Sequence, residues 1–225
     1  MNKSKYFLLF YVLLGLLSCR KENSEKVDQD DIWARYRVIY RSDLGSTYLR
    51  ANFRHNNSNG ENLRLSSNSS LTFNGEKPNY IGSFISYEIV KNSRMDEVDF
   101  VYSDIEGNVF ENNVKISGIE LPEIDTLYSD SVIFIPWIGD SLTENEIVYL
   151  YIEGNNAYKL PFIKTDTIGS TGVYLNPNNI ADLDTQEVTI HFERHLINEV
   201  NGTSAGGISQ GLFISKNKKV QWVVD

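Results

Sequence analysis

Gly207-Ile208-Ser209-Gln210-Gly211 has the G-x-S-x-G spacing that sets a nucleophilic serine on a strand-to-helix elbow. That chemistry needs a strand before the serine, a helix after it, and an acid and a histidine further along. An Asn-Gly-Ser loop precedes the motif here and the strand-like Leu212-Phe213-Ile214-Ser215 follows it. The three histidines, His55, His191 and His195, all come earlier in the chain. The expectation is therefore a Gly-rich loop between strands. His191-Phe192-Glu193-Arg194-His195 raises a metal instead, yet Glu193 stands where HExxH has none. On a strand, positions four apart lie about 13 Å from each other, too far for one ion. These side chains are expected to form a solvated strand face. No nucleophile–base set and no paired carboxylates emerge elsewhere, so no catalytic residue, metal or cofactor is expected.

Arginine carries the clearest charge pattern. Arg35, Arg37 and Arg41 fall on one face of a first period-2 segment, and Arg50 and Arg54 on the outward face of the next. Five of the nine arginines thus occupy 20 residues of a chain with net charge −9. Like charges on paired strands repel unless something offsets them. One possibility is internal, with Glu97 and Asp99 on the outward face of a later strand. The other is an anionic ligand held by bidentate guanidinium contacts.

The elements that must position these residues are strands. Segments rich in Val, Ile, Tyr and Phe recur with period 2 and are separated by Asn, Gly, Ser and Asp clusters. Long 3.6-period runs are missing. Strands are predicted at 33–41, 47–54, 84–90, 97–102 and 109–116, with Asp104-Ile105-Glu106-Gly107-Asn108 as a hairpin turn that uses Gly107 at positive φ. A second series is predicted at 132–137, 147–153, 157–163, 172–175, 187–195, 211–215 and 220–224. The fold class is all-β, read as two tandem Ig-like β-sandwich domains over 32–118 and 132–225, with 119–131 as a linker. The 13 tyrosines raise glycan stacking, but Tyr36, Tyr40, Tyr149 and Trp137 sit at alternating positions that suit a core.

The N-terminus reads as an address. Lys3 and Lys5 precede an apolar run from Tyr6 to Leu17, which falls short of the roughly 20 residues that span a bilayer. A basic start, a short apolar core and small residues at its end make a secretory signal over 1–18. Leu16-Leu17-Ser18-Cys19 resembles the lipobox of bacterial lipoproteins. That resemblance implies that Cys19, the single cysteine, becomes the acylated first residue of the mature chain. Each buried methylene of a lipid anchor contributes about 0.8 kcal/mol. With one cysteine there is no internal disulfide. Residues 19–31 are charged and read as a tether.

Two further resemblances point the same way. Leu71-Thr72-Phe73-Asn74-Gly75 and the stretch from Asp99 to Asn112 give 33–116 the look of the N-terminal half of Bacteroidota surface lipoproteins. Asp125-Thr126-Leu127, Asp130-Ser131-Val132, Asp140-Ser141-Leu142 and Asp166-Thr167-Ile168 resemble the Bacteroidota O-glycosylation motif, which implies modification at Thr126, Ser131, Ser141 and Thr167. Asp-Ser/Thr pairs also favour turns by local hydrogen bonding.

An acidic chain argues against nucleic acid as a partner. The expected function is a non-catalytic binding or scaffold module, anchored by lipid in the outer membrane and facing a glycan or an envelope protein. The alternatives are a structural spacer and, less favoured, a hydrolase of surface polymers.

Overall fold

The structure is a computed structural model that describes residues 22–128, 131–154, 162–176 and 187–223. The signal segment and Cys19 lie outside these residues. Seventeen strands follow one another, with two short 3-10 turns and no α-helix among the described residues. The first half holds β1 (Glu22–Asn23), β2 (Ile32–Arg41), β3 (Ser46–His55), β4 (Asn62–Arg64), β5 (Ser70–Phe73), β6 (Asn79–Ile81), β7 (Ser86–Lys91), β8 (Glu97–Ser103) and β9 (Val109–Lys115). The second holds β10 (Thr126–Tyr128), β11 (Ile133–Pro136), β12 (Glu146–Gly154), β13 (Phe162–Thr165), β14 (Gly172–Leu175), β15 (Glu187–Glu199), β16 (Gly207–Ile214) and β17 (Lys218–Val223). The all-β, sandwich-type architecture expected from the period-2 pattern is what the chain adopts. The strand predicted over 157–163 falls largely outside the described residues.

Alternation fixes which face is buried. Ala34, Tyr36 and Val38 of β2 and Leu49, Ala51 and Phe53 of β3 point into the first core. The β5-β8-β9 sheet closes over them with Phe73, Phe100, Tyr102 and Val114. The rings of Tyr36 and Phe100 lie 5.1 Å apart and those of Phe53 and Tyr102 4.8 Å apart. Full burial of each such ring contributes about 1.5–3 kcal/mol. Gly107 has φ +89°, as the predicted turn requires, and the Asp104 carboxylate caps it by accepting from the Glu106 and Asn108 amides at 2.9 Å. In the second half, Val148, Leu150, Ile190 and Phe192 face inward beneath Ile135, Val173 and Leu175 of the β11–β14 pair.

The two halves are fused along a strand. β2 pairs in parallel with β16, from Ala34↔Gly207 to Arg41↔Ile214, so the larger sheet runs from β3 through β2, β16 and β15 to β12 and β13. Close backbone approach explains both glycines of the G-x-S-x-G stretch, to β2 at Gly207 and to β9 of the facing sheet at Gly211. A Cβ on Gly207 would lie 2.1 Å from the Ala34 carbonyl oxygen, and one on Gly211 1.8 Å from that of Lys115.

Two segments differ from their sequence reading. The stretch 119–131 is not a free connection: Ile119 is fully buried, Glu120 bridges Ile138, and Thr126–Tyr128 pairs in parallel with Gln221–Val223. The tether is docked from residue 22 onward. Ser24 is buried and accepts from the Ser66 amide at 2.9 Å, while the Gln29 side-chain amide donates to the Ser24 carbonyl at 2.8 Å. Hydrogen bonds fix this segment together with Val27, which packs against the core.

Candidate anion-binding site

The alternation that buries Tyr36 turns the arginines to the opposite face of the large sheet. Register places Trp33 beside Arg54, Arg35 beside Asn52, and Arg37 beside Arg50. The five candidates then divide. Arg41 pairs with Asp43 at 2.9 Å, and Arg50 pairs with Glu88 on β7. Arg35, Arg37 and Arg54 form no ion pair with any carboxylate among the described residues. Their contacts are neutral: Arg35 donates to the Gln210 side-chain oxygen at 2.9 Å, Arg37 to that of Asn52 at 3.4 Å, and Arg54 to the Ser58 carbonyl. The Nε atoms of Arg35 and Arg37 are buried without an acceptor.

The internal compensation expected from Glu97 and Asp99 does not occur. Both lie on β8, in the sheet across the core. Glu97 sits 3.5 Å from Lys115, and Asp99 accepts from the Asn113 side-chain amide at 2.7 Å. Glu88, which sequence reasoning passed over, neutralises Arg50 instead.

Arg35, Arg37 and Arg54 line a cleft of about 410 Å³ with Trp33, Asn52, Ser58, Asn62, Phe84, Ile85 and Ile208. Its wall is held against strain. Ile85 has φ +48°, a region that β-branched residues avoid. Asn52 Nδ2 donates to the Ile85 carbonyl at 2.7 Å while its Oδ1 faces Arg37, so one side chain ties the wall to the floor. Backbone strain of this kind collects at ligand-binding features. Phe84 stands at the rim, 65% exposed. Burial pulls the Arg37 guanidinium down to about 10, with the charges of Arg35 and Arg50 adding to the effect and Glu88 opposing it. Burial, then the charge of Arg54, also lowers Arg35. The folded chain therefore holds these cations at an energetic disadvantage that an anion would relieve.

A polar row continues from the cleft. The Gln210 oxygen takes the Arg35 bond, and its nitrogen lies 2.9 Å from His195 Nδ1. His195 Nε2 lies 3.1 Å from one Glu193 oxygen, and His191 Nε2 lies 3.8 Å from the other. The stretch expected as a solvated face is thus largely covered, with side-chain exposures of only 14–18%. Tyr151 stacks on the His191 ring at 4.9 Å, and Tyr149 meets the His195 ring edge-on at 5.1 Å. Burial alone would raise Glu193, but hydrogen bonds from the two histidines, with their charge, hold it at about 2. Both imidazoles turn toward this carboxylate, and no metal-ligand cluster forms among the described residues.

The Gly-rich loop expected over 207–211 is strand instead: β16 starts at Gly207, and Ser209 lies within it, because pairing with β2 extends the ladder through these residues. Ser209 is buried on the core side, where its hydroxyl donates to the Asn198 carbonyl at 3.4 Å. His195, on the neighbouring strand, faces the opposite side of the sheet. Of the candidate O-glycosylation positions, Ser131, Ser141 and Thr167 are exposed, whereas Thr126 is half-buried in the ladder with β17. Tyr36 and Trp137 are core residues as expected, but Tyr149 lies on the outer face beside His195.

Sequence reasoning found the arginines and missed Trp33, Asn52, Phe84, Ile85 and Gln210 as their surroundings. No local pattern marks Gln210, which lies 175 residues from the arginine it touches.

No protein-family profile and no curated protein sequence matches this chain. A solved chain from work on host cell surface retention of a 1.5-MDa bacterial ice-binding adhesin is similar at 12% identity, with a TM-score of 0.22. The likeness covers 88% of this chain and 66% of that one, and a TM-score this low carries no argument about fold or role.

Proposed function

We propose that the protein is a lipid-anchored cell-envelope lipoprotein of the outer membrane, acting as a non-catalytic binding or scaffold module whose partner presents an anionic group. The observation that carries this reading is the set of three guanidiniums, Arg35, Arg37 and Arg54, that converge on one cleft and meet no carboxylate among the described residues. Guanidinium forks match carboxylate and phosphate oxygens bidentately. The address rests on Cys19 and the signal before it. The partner is a glycan or an envelope protein, not nucleic acid, and no cofactor is needed. The spacer alternative draws on the exposed Phe134–Tyr174 ring pair of the β11–β14 sheet, whose centroids lie 5.0 Å apart.

The test is thermal. Sulfate should raise the melting temperature above that in chloride of equal ionic strength, by a few degrees where the anion reaches ten times its dissociation constant. An Arg35→Gln/Arg37→Gln chain should show no such difference. Equal responses of the two chains would remove the cleft from the account. Separately, Cys19→Ser should move the protein out of the membrane fraction.

A further inference from the structure

We propose that the cleft takes a pyranose ring bearing a carboxylate, an acidic sugar residue, rather than a bare phosphate. This rests on the anion-binding reading above and narrows it.

The lining divides by chemistry. Guanidiniums of Arg35, Arg37 and Arg54 form one part, and the other holds Trp33, Phe84, Ile85 and Ile208. An inorganic anion would use the first part and leave the second empty. A volume of about 410 Å³ also exceeds what phosphate fills and lies in the range of small-molecule sites. The lining also includes Asn52, Ser58 and Asn62, short neutral side chains suited to ring hydroxyls. Arg35 and Arg37 are two positions apart on β2, so their Cα atoms lie about 7 Å from each other. A carboxylate seated between them accepts from both guanidiniums, one oxygen to each, or turns both oxygens to one fork, while the ring reaches toward the rim.

Phe84 supplies the stacking face. It is 65% exposed and lies outside the hydrophobic core. Its position is fixed from both sides. The Arg50 guanidinium lies 5.7 Å from its ring centroid, and the next residue, Ile85, is held at φ +48° by the Asn52 hydrogen bond. An aromatic face at the mouth of a cationic cleft fits a ligand with an apolar ring face and an anionic end. Acidic sugars have both.

The experiment is an NMR titration of the full chain with sodium glucuronate, sodium galacturonate, glucose and inorganic phosphate at matched ionic strength, repeated with Arg37→Met and Phe84→Ala. Phe84 is exposed, so its substitution leaves the core intact. The expected result is saturable binding of at least one uronate, weakened tenfold or more by either substitution, with no response to glucose. Phosphate binding as tightly as either uronate, with Phe84→Ala unchanged, would overturn the acidic-sugar inference and leave the anion reading standing. Absence of binding by uronates and phosphate alike would overturn both.

Discussion

Arg194 and Arg37 both sit on central strands of the large sheet, one on each face. Arg194 is buried in the second core and makes four hydrogen bonds. Its Nε and Nη2 bond the two Glu146 oxygens at 2.9 and 2.6 Å, and Nη1 and Nη2 also donate to the carbonyls of Asp140 and Ser141 at 2.8 and 3.1 Å. Glu146 in turn accepts from the Thr143 amide and hydroxyl. Arg37 has one long bond to Asn52, an Nε with no acceptor, and Arg35 and Arg50 as like-charged neighbours. A guanidinium that serves the fold is surrounded by acceptors, because five donors buried without them would cost several kcal/mol. One left incomplete beside a cleft keeps its donors available to something that is not part of the chain.

That contrast breaks most easily at Glu146. Glu146→Ala should destabilise the protein by about 3–5 kcal/mol in urea denaturation, since it leaves Arg194 as a lone buried charge. A loss below about 1 kcal/mol would mean that the pair is not a strut. Acid should act on the same bridge. Burial alone would raise Glu146, but bonds from Arg194, Thr143 and Ser117 hold it at about 2, below its ordinary 4.5. A carboxyl depressed on folding contributes stability that is full above 4.5 and lost as pH falls through about 2. Glu193, also at about 2, adds in the same direction. The urea midpoint should therefore fall between pH 5 and pH 3, and Glu146→Ala should make that fall shallower.

On the cleft side the effects shrink. Asn52→Ala removes the tie between wall and floor and should cost about 1–2 kcal/mol, the range for a part-buried hydrogen bond. It should also weaken anion binding by releasing Ile85 and Phe84, which titration of the variant would measure. Arg50→Gln opens a part-exposed pair with Glu88 and should cost no more than about 1 kcal/mol in the same urea assay.

Alternation made much of this legible. It placed Tyr36 and Phe53 inside and the five arginines outside, and the Asp-x-x-Gly turn at 104–107 was readable from local chemistry. What alternation settles is a residue's face; what stands across from it is a matter of pairing. Glu88 reaches Arg50 because β7 pairs with β3. Gln210 reaches Arg35 because β16 pairs with β2. No periodicity in either segment encodes those pairings. Gly211 shows the same limit from the other side. Its place in a Gly-rich stretch suggests a loop, but what selects glycine there is the Lys115 carbonyl of a distant strand, which leaves no room for a Cβ. Ser24 and Gln29 fall in the charged tether, where polar residues carry no burial pattern, yet hydrogen bonds dock them.

Equilibrium urea denaturation of Arg37→Met, which keeps the aliphatic stem and removes the charge, tests the central claim most directly. If Arg37 is held for a ligand, the ligand-free variant should have a midpoint equal to or above that of the wild-type chain, with an unchanged slope, because a repelled charge has been removed. A loss of about 3 kcal/mol or more, the size expected for Glu146→Ala, would contradict the account and make Arg37 a strut like Arg194.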